Sequence, residues 1–260
     1  MAAEEGKIDP MHQFEIEGFF PLFQLGGTEI AFTNSALWML LTAGTLALFM
    51  WGGLKRQLVP GRWQAAVEGV TGFISGMALN NIGPEGRRFV PYLFSLFMFI
   101  LIANLLGMAP TGVVGLHPFT VTSHLTVTGV LAVLSFSIVL LVGFARHGFH
   151  FFSLFVPHGT PALLVPLMFV IELFSFLVRP FSLALRLFVA MTAGHILMKV
   201  LAGFVIQGVN AGPGIAAIVS VPSFLLMVGI TLLELLVCAI QAYVFALLTS
   251  LYLNDAVNLH

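Results

Sequence analysis

The chain of 260 residues is 59% hydrophobic, carries only 8% charged residues and has a formal net charge of −1. A soluble domain holds about 25% charged residues, so this composition excludes an ordinary globular protein and points to an integral membrane protein. The near-neutral charge gives no electrostatic basis for a nucleic-acid partner, and a single cysteine, Cys238, excludes an intrachain disulfide and a thiolate metal cluster.

In chain order, residues 1–31 read as a polar tail carrying Glu4, Glu5, Asp9, Glu15, Glu17 and Glu29. No basic segment followed by a short apolar core opens the chain, so no cleaved signal peptide is expected. The first membrane helix is expected over 33–54, closed by Lys55, Arg56 and Arg62, with Trp51 and Trp63 as interfacial anchors. Segment 64–82 is less hydrophobic, contains Glu68 and ends on Asn80-Asn81; basic flanks at Arg62 and Arg87-Arg88 suit an interfacial helix. Two further spans, 89–108 and 123–144, are joined by a loop over 109–121 that contains glycine and proline. Lys55, Arg56, Arg62, Arg87, Arg88 and Arg146 then share one side, whereas the other receives only Lys7 and the acidic tail. The positive-inside rule places the N-terminus in the periplasm and the C-terminus in the cytoplasm.

The stretch 160–206 is almost continuous apolar helix-former, yet Glu172, Arg179, Arg186, His195 and Lys199 are embedded in it. A helix from Glu172 to Ile206 alone would run roughly 52 Å at 1.5 Å per residue, against a hydrocarbon core of ~30 Å. It either breaks, with Pro180 as the break point, or lies steeply tilted. A second stretch, 215–253, is over-long in the same way, and Gly208-Val-Asn-Ala-Gly-Pro-Gly214 between them has the composition of a turn. The expected fold is an all-α polytopic membrane protein. A single membrane domain, 32–260, holds five inserted helices and one interfacial helix, the last two inserted helices forming a long hairpin. No internal repeat is visible.

Arg186 is the most expensive residue in this arrangement. A charge at bilayer depth costs roughly 3 kcal/mol on insertion scales, and arginine does not shed its proton below a pH of ~12. Glu172, Arg179 and Arg186 recur every seven residues, with Ser175 and Ser182 on the same helical stripe. His195 lies about 180° around the helix from Arg186 at 100° per residue. The last helix has its own stripe of Thr231, Glu234, Cys238 and Gln241. In an antiparallel hairpin, Arg186 with Gln241, His195 with Glu234 and Glu172 with Asp255 share a midpoint near Pro213 and Gly214, inside the expected turn. These groups form either an ion pathway or adhesive polar contacts between helices. Asn104 similarly either lines a channel or fixes packing; His117 and His124 read as loop or helix-end residues. No nucleophile elbow, zinc-protease motif or P-loop is present, so neither a metal nor an organic cofactor is expected.

The run Arg179-Pro-Phe-Ser-Leu-Ala-Leu-Arg-Leu-Phe188, followed by Gly194, resembles the signature of subunit a of the F-type ATP synthase membrane sector. Asn104-Leu-Leu-Gly-Met-Ala-Pro110 resembles that family's third-helix motif, and Gln241-Ala-Tyr-Val-Phe245 lies in a segment similar to its last helix. The resemblance covers essentially the whole chain. It implies that Arg186 matches the family's essential arginine and Gln241 the glutamine that accompanies it. His195 and Glu234 match the pair assigned to an outer half-channel for protons, and Glu172, Ser175 and Ser182 match the lining of a cytoplasmic half-channel. It further implies a ring of c-type proteolipid subunits, peripheral-stalk b subunits and the rest of the synthase as partners, in a bacterial inner membrane among lipids. ATP chemistry would lie on other subunits. Four positions depart from the common bacterial pattern. His195 and Glu234 are exchanged in order, as in mitochondrial relatives, which fits an alphaproteobacterial source. Gly107 stands where some relatives carry an acid, and Ala190 where many have asparagine. The rival readings are a secondary transporter with a midplane site, which calls for an inverted repeat and broken helices, and an anchor subunit, which has no need of a buried Arg186.

Overall fold

The computed structural model describes residues 16, 18–25, 28–53, 59–109, 119–156, 161 and 164–258. Lys7, Lys55, Arg56, Pro110, His117 and most of the loop expected at 109–121 lie outside the described residues.

Five helices are long and apolar enough to cross a membrane, as expected. They are α1 (Asn34–Gly53), α3 (Val90–Met108), α4 (Leu125–His147, running on as a tight 3-10 turn to Phe155), α5 (Val165–Asn210) and α7 (Val221–Val257). α2 (Arg62–Ile82) fills the segment expected as interfacial and is not among the five. Proline opens several of these elements: Pro91 in α3, Pro166 in α5, Pro213 in the short α6 (Pro213–Ile215) and Pro222 in α7. In the first turn its missing N–H leaves no gap, because that turn's donors have no intrahelical acceptor. Gly83, at φ +85°, ends α2 with its N–H on the Leu79 carbonyl, and Gly212, at φ +109°, turns the chain from α5 into α6. A π-helical turn over Ala216–Ser220 then leads into α7.

Several features differ from the sequence reading. α5 does not break at Pro180 but continues through it for 46 residues. Proline removes one i to i−4 bond, a loss that membrane helices tolerate when their neighbours support the chain. Ser123 belongs to a 3-10 turn, Val121–Ser123, and α4 starts only at Leu125. The tail also holds an antiparallel hairpin, β1 (Gly18–Leu25) and β2 (Thr28–Thr33), paired from Gly18 opposite Thr33 to Leu25 opposite Thr28. Its sequence signal is a Gly26-Gly27 pair between two apolar runs.

The chain divides into two compact units. Unit 1 comprises Met1–Thr42, Leu101–His124 and Phe188–Gln241; unit 2 comprises Ala43–Ile100, Leu125–Leu187 and Ala242–His260. Within unit 1, Trp38, Ala103, Met191, Leu201 and Cys238 are buried. Within unit 2, Ile74, Leu93, Ile100, Leu183, Leu187, Phe245 and Leu253 are buried. The Phe-rich segment after α4, whose composition suits lipid-facing or interfacial bulk, is divided in the structure. Phe149 is exposed, but Phe151 and Phe155 are buried and make ring contacts with Phe144 and Phe176. The basic residues Arg62, Arg87, Arg88 and Arg146 all belong to unit 2. Arg146 pairs with Glu85, and this bond holds the Glu85 carboxyl below the usual carboxylate range.

Gly143 sits against the Phe151 ring so closely that an added Cβ would overlap it. The ring has little room to yield, being locked among Phe144, Phe155 and Phe176. Gly143→Val is therefore expected to destabilise the protein by about 1–3 kcal/mol, the usual cost of overpacking. The check is the thermal midpoint of the detergent-solubilised protein, with Gly129→Val, where no atom stands within 4 Å, as the neutral comparison.

Candidate functional site

α5 carries Glu172, Ser175, Arg179, Ser182 and Arg186 in unit 2 and His195 in unit 1; α7 carries Glu234, Cys238 and Gln241 in unit 1 and Asp255 in unit 2. Arg186 and His195 differ in their environments. Arg186 is exposed at the surface of the chain, whereas His195 is buried. Among the described residues Arg186 has neither an ion pair nor a hydrogen bond.

In unit 1, His195 Nε2 stands 3.7 Å from Glu234 Oε1, which realises the pairing expected from the hairpin midpoint. Glu234 is 2% exposed and neither carboxyl oxygen has a hydrogen-bond partner. Gly194, one residue before His195, leaves the space that Glu234 occupies: a Cβ there would lie 2.6 Å from Oε1. The α7 stripe is real on its inner members, since Glu234, Cys238 and Gln241 are all buried, while Thr231 is exposed and bonds back to the Met227 carbonyl. Gln241 Nε2 is buried without a partner.

Asn104 is held on both sides. Its Oδ1 accepts from Thr122 Oγ1 at 2.6 Å, and its Nδ2 donates to the Cys238 carbonyl at 3.5 Å. The asparagine thus ties α3 to α7 and to the turn before α4. Thr120 Oγ1 lies 2.7 Å from His195 Nε2. His124 stacks on Phe119, with ring centroids 4.8 Å apart, consistent with a helix-end residue. Thr120 and Thr122 belong to this polar group but escaped the sequence reading. Their signal is the run Thr120-Val-Thr-Ser-His124, four polar residues of five beside a span.

In unit 2 the expected level of Glu172 with Asp255 is occupied differently. The two carboxylates share Arg179, which donates to Asp255 Oδ2 at 2.7 Å and stands 3.6 Å from Glu172 Oε1. The guanidinium also lies over the rings of Phe176 and Tyr252 at 5.4 and 5.1 Å. Arginine suits this position because its planar fork engages carboxylates at its edge and aromatic rings on its face. Ser175 and Ser182 are exposed on the same stripe as Arg186. No group of three or more His, Cys, Asp or Glu side chains able to hold a metal occurs among the described residues.

Residues 36–254 match the ATP synthase A chain family. The chain is 77% identical to ATP synthase subunit a of Rhizorhabdus wittichii over the full length of both chains. It is 71% identical to that of Sphingopyxis alaskensis, again over both full lengths. With the protein of the same name from Rhodospirillum rubrum it shares 48% identity over 96% of this chain and 99% of the other.

The Arg179–Asp255 bond is part-buried and charge-assisted, so it should exceed an ordinary surface pair. A double-mutant cycle of Arg179→Ala and Asp255→Ala, read by thermal unfolding in detergent, is expected to give a coupling energy of about 1–2 kcal/mol. A coupling near zero would show that the two side chains stabilise the protein independently.

Proposed function

Because the chain belongs to the ATP synthase A chain family, we propose that it is the proton-conducting stator subunit a of a rotary F-type ATP synthase in a bacterial inner membrane. Its expected partners are the c-ring proteolipids, the peripheral-stalk b subunits and the remainder of the complex, with ATP chemistry performed elsewhere. The N-terminus is assigned to the periplasm and the C-terminus to the cytoplasm.

One observation carries the assignment of roles: Arg186 is a permanent cation on an over-long apolar helix, exposed at the surface of its own chain and without a carboxylate partner among the described residues. A cation at bilayer depth requires a counter-charge, and a ring of membrane-buried carboxylates moving past that face supplies one. Protons enter an outer half-channel past Glu234 and His195, whose imidazole chemistry suits exchange near neutral pH. They load a ring carboxylate and leave, after nearly a full rotation, along Ser182, Ser175 and Glu172. Arg186, accompanied by Gln241, stands between the two routes. Its charge favours the ionised form of an approaching carboxylate, so each ring site releases its proton before passing, and it repels protons that would cross directly. Each charge moved is worth ~2.3 kcal/mol per 100 mV of membrane potential. The absence of further carboxylates beside Gln241 in sequence favours H⁺ over Na⁺ as the coupling ion. Asn104 supports the outer route by holding helices together. The unbroken α5 and α7 do not suit a secondary transporter, whose midplane site calls for interrupted helices.

Arg186→Ala is expected to abolish ATP synthesis driven by a proton gradient in reconstituted vesicles, with a passive proton leak still measurable. Synthesis near the wild-type rate would sink the mechanism. His195→Ala should slow coupled proton flux about a hundredfold, the lower range for loss of an acid–base group. Unchanged flux would assign the His195–Glu234 pair to helix adhesion instead.

A further inference from the structure

The proton route assigned above leaves His195 facing two partners with one nitrogen. Nε2 is 2.7 Å from Thr120 Oγ1 and 3.7 Å from Glu234 Oε1. A ring nitrogen offers either one N–H or one lone pair, so it makes one good hydrogen bond in that direction at a time. The hydroxyl holds that bond, and Glu234, buried beside it, has none on either oxygen.

The hydroxyl is placed with care. The Thr120 carbonyl accepts from both the Ser123 hydroxyl at 2.6 Å and the Ser123 backbone N–H at 3.0 Å, which locks the turn. Thr122 fastens the same turn to Asn104 on α3, and Thr192 on α5 reaches the Ser123 carbonyl at 3.4 Å. On the far side, Gly107 of α3 supplies the room, because a Cβ at that position would overlap Thr120 Oγ1. Threonine is also chemically apt. Its hydroxyl donates to a bare Nε2 and accepts from a protonated one, so it satisfies the imidazole in every protonation state.

Resting on the proton-conducting reading, we infer that Thr120 is a positioning residue for His195: it holds the imidazole off Glu234 between transfers. In the transfer itself the ring leaves Thr120 and closes on Glu234; the Nε2–H bond breaks with its electron pair remaining on nitrogen, and an O–H bond forms on the carboxylate. Without the hydroxyl, Glu234 captures Nε2 permanently. The result is a buried imidazolium–carboxylate pair that holds its proton instead of passing it on.

The test uses the assembled synthase in vesicles, with coupled proton flux and the amount of assembled complex measured separately. Thr120→Val keeps the shape and removes the hydroxyl; flux is expected to fall about tenfold, the rate equivalent of one hydrogen bond, at unchanged assembly. Thr120→Ser, which restores the hydroxyl, should recover flux to within about twofold of wild type on the same scale. Gly107→Ala should mimic Thr120→Val by pushing the hydroxyl aside. In a His195→Ala background Thr120→Val should add no further loss. Wild-type flux in Thr120→Val, a serine variant as slow as the valine, or full additivity with His195→Ala would each overturn the proposal. If the valine variant does not assemble, Gly107→Ala decides in the same way. If neither assembles while the serine variant does, the hydroxyl serves folding and the proposal is wrong. An unchanged flux in His195→Ala alone would instead count against the half-channel reading, which keeps the two failures apart.

Discussion

The constraint on which the rest depends is that a bilayer has no water to spare for a polar atom. Every buried N–H, C=O, hydroxyl or charge must find its partner in protein or carry a penalty of several kcal/mol. Most polar side chains of this chain obey it. Thr42, Ser95, Thr71 and Thr249 return a hydrogen bond to the carbonyl four residues earlier, so they cost their helices little. Tyr92 bonds Ser135 and Asn81 bonds Ser250, closing each pair inside unit 2. Against this background three described groups stand out: the carboxyl of Glu234 and the amide of Gln241, buried without a hydrogen-bond partner, and the cation of Arg186, exposed on an apolar helix. Groups left unsatisfied among so many satisfied ones are the places where a polar partner would gain most.

The two ionic clusters differ in exposure and in tightness. In unit 2 Arg179 meets both Glu172 and Asp255 and is covered by two aromatic rings. Its three charged groups are each part-exposed, so the desolvation cost is moderate and the arrangement is firm. In unit 1 the acid and the imidazole are both buried but held apart at 3.7 Å, short of a hydrogen bond. A tight pair there would be more stable and less able to exchange its proton. Here the carboxylate and the imidazole stay separate groups, and the ring's hydrogen bond goes to the Thr120 hydroxyl.

Much of this was legible in the chain before any coordinates. The five spans follow from hydropathy and length, and the seven-residue recurrence of Glu172, Arg179 and Arg186 follows from helical geometry because α5 is unbroken. The pairing of His195 with Glu234 followed from one further assumption, an antiparallel turn near Pro213. What stayed hidden depends on side-chain reach or on short-range detail. Asp255 was placed at the level of Glu172, but arginine is long enough to lean across a turn, so Arg179 is its partner. Thr120 and Thr122 sit in a 3-10 turn and its approach, where no periodicity reports which way a hydroxyl points. Whether Pro180 breaks the helix or is carried through it stays open in the sequence, because propensity scales come from water, where the lost hydrogen bond weighs more than it does inside a packed helix bundle.

Glycine is where the helical frame and the polar site meet. Small residues in membrane helices ordinarily let two backbones approach. Here three glycines make room for side-chain oxygen atoms instead: Gly107 for the Thr120 hydroxyl, Gly194 for the Glu234 carboxyl and Gly208 for the Ser220 hydroxyl. All three lie in unit 1, and each is close enough that a methyl group would displace the polar atom. Ser220 uses its space to donate to the Val205 carbonyl near the turn, a purely structural role. Thr120 and Glu234 use theirs to address a single imidazole nitrogen. The same device, a missing side chain opposite a polar one, therefore recurs at two levels of α5 with different partners. Whether a polar atom ends as adhesive or as working group is decided by its partner: a backbone carbonyl accepts a bond and keeps it, whereas an imidazole can accept, donate and let go.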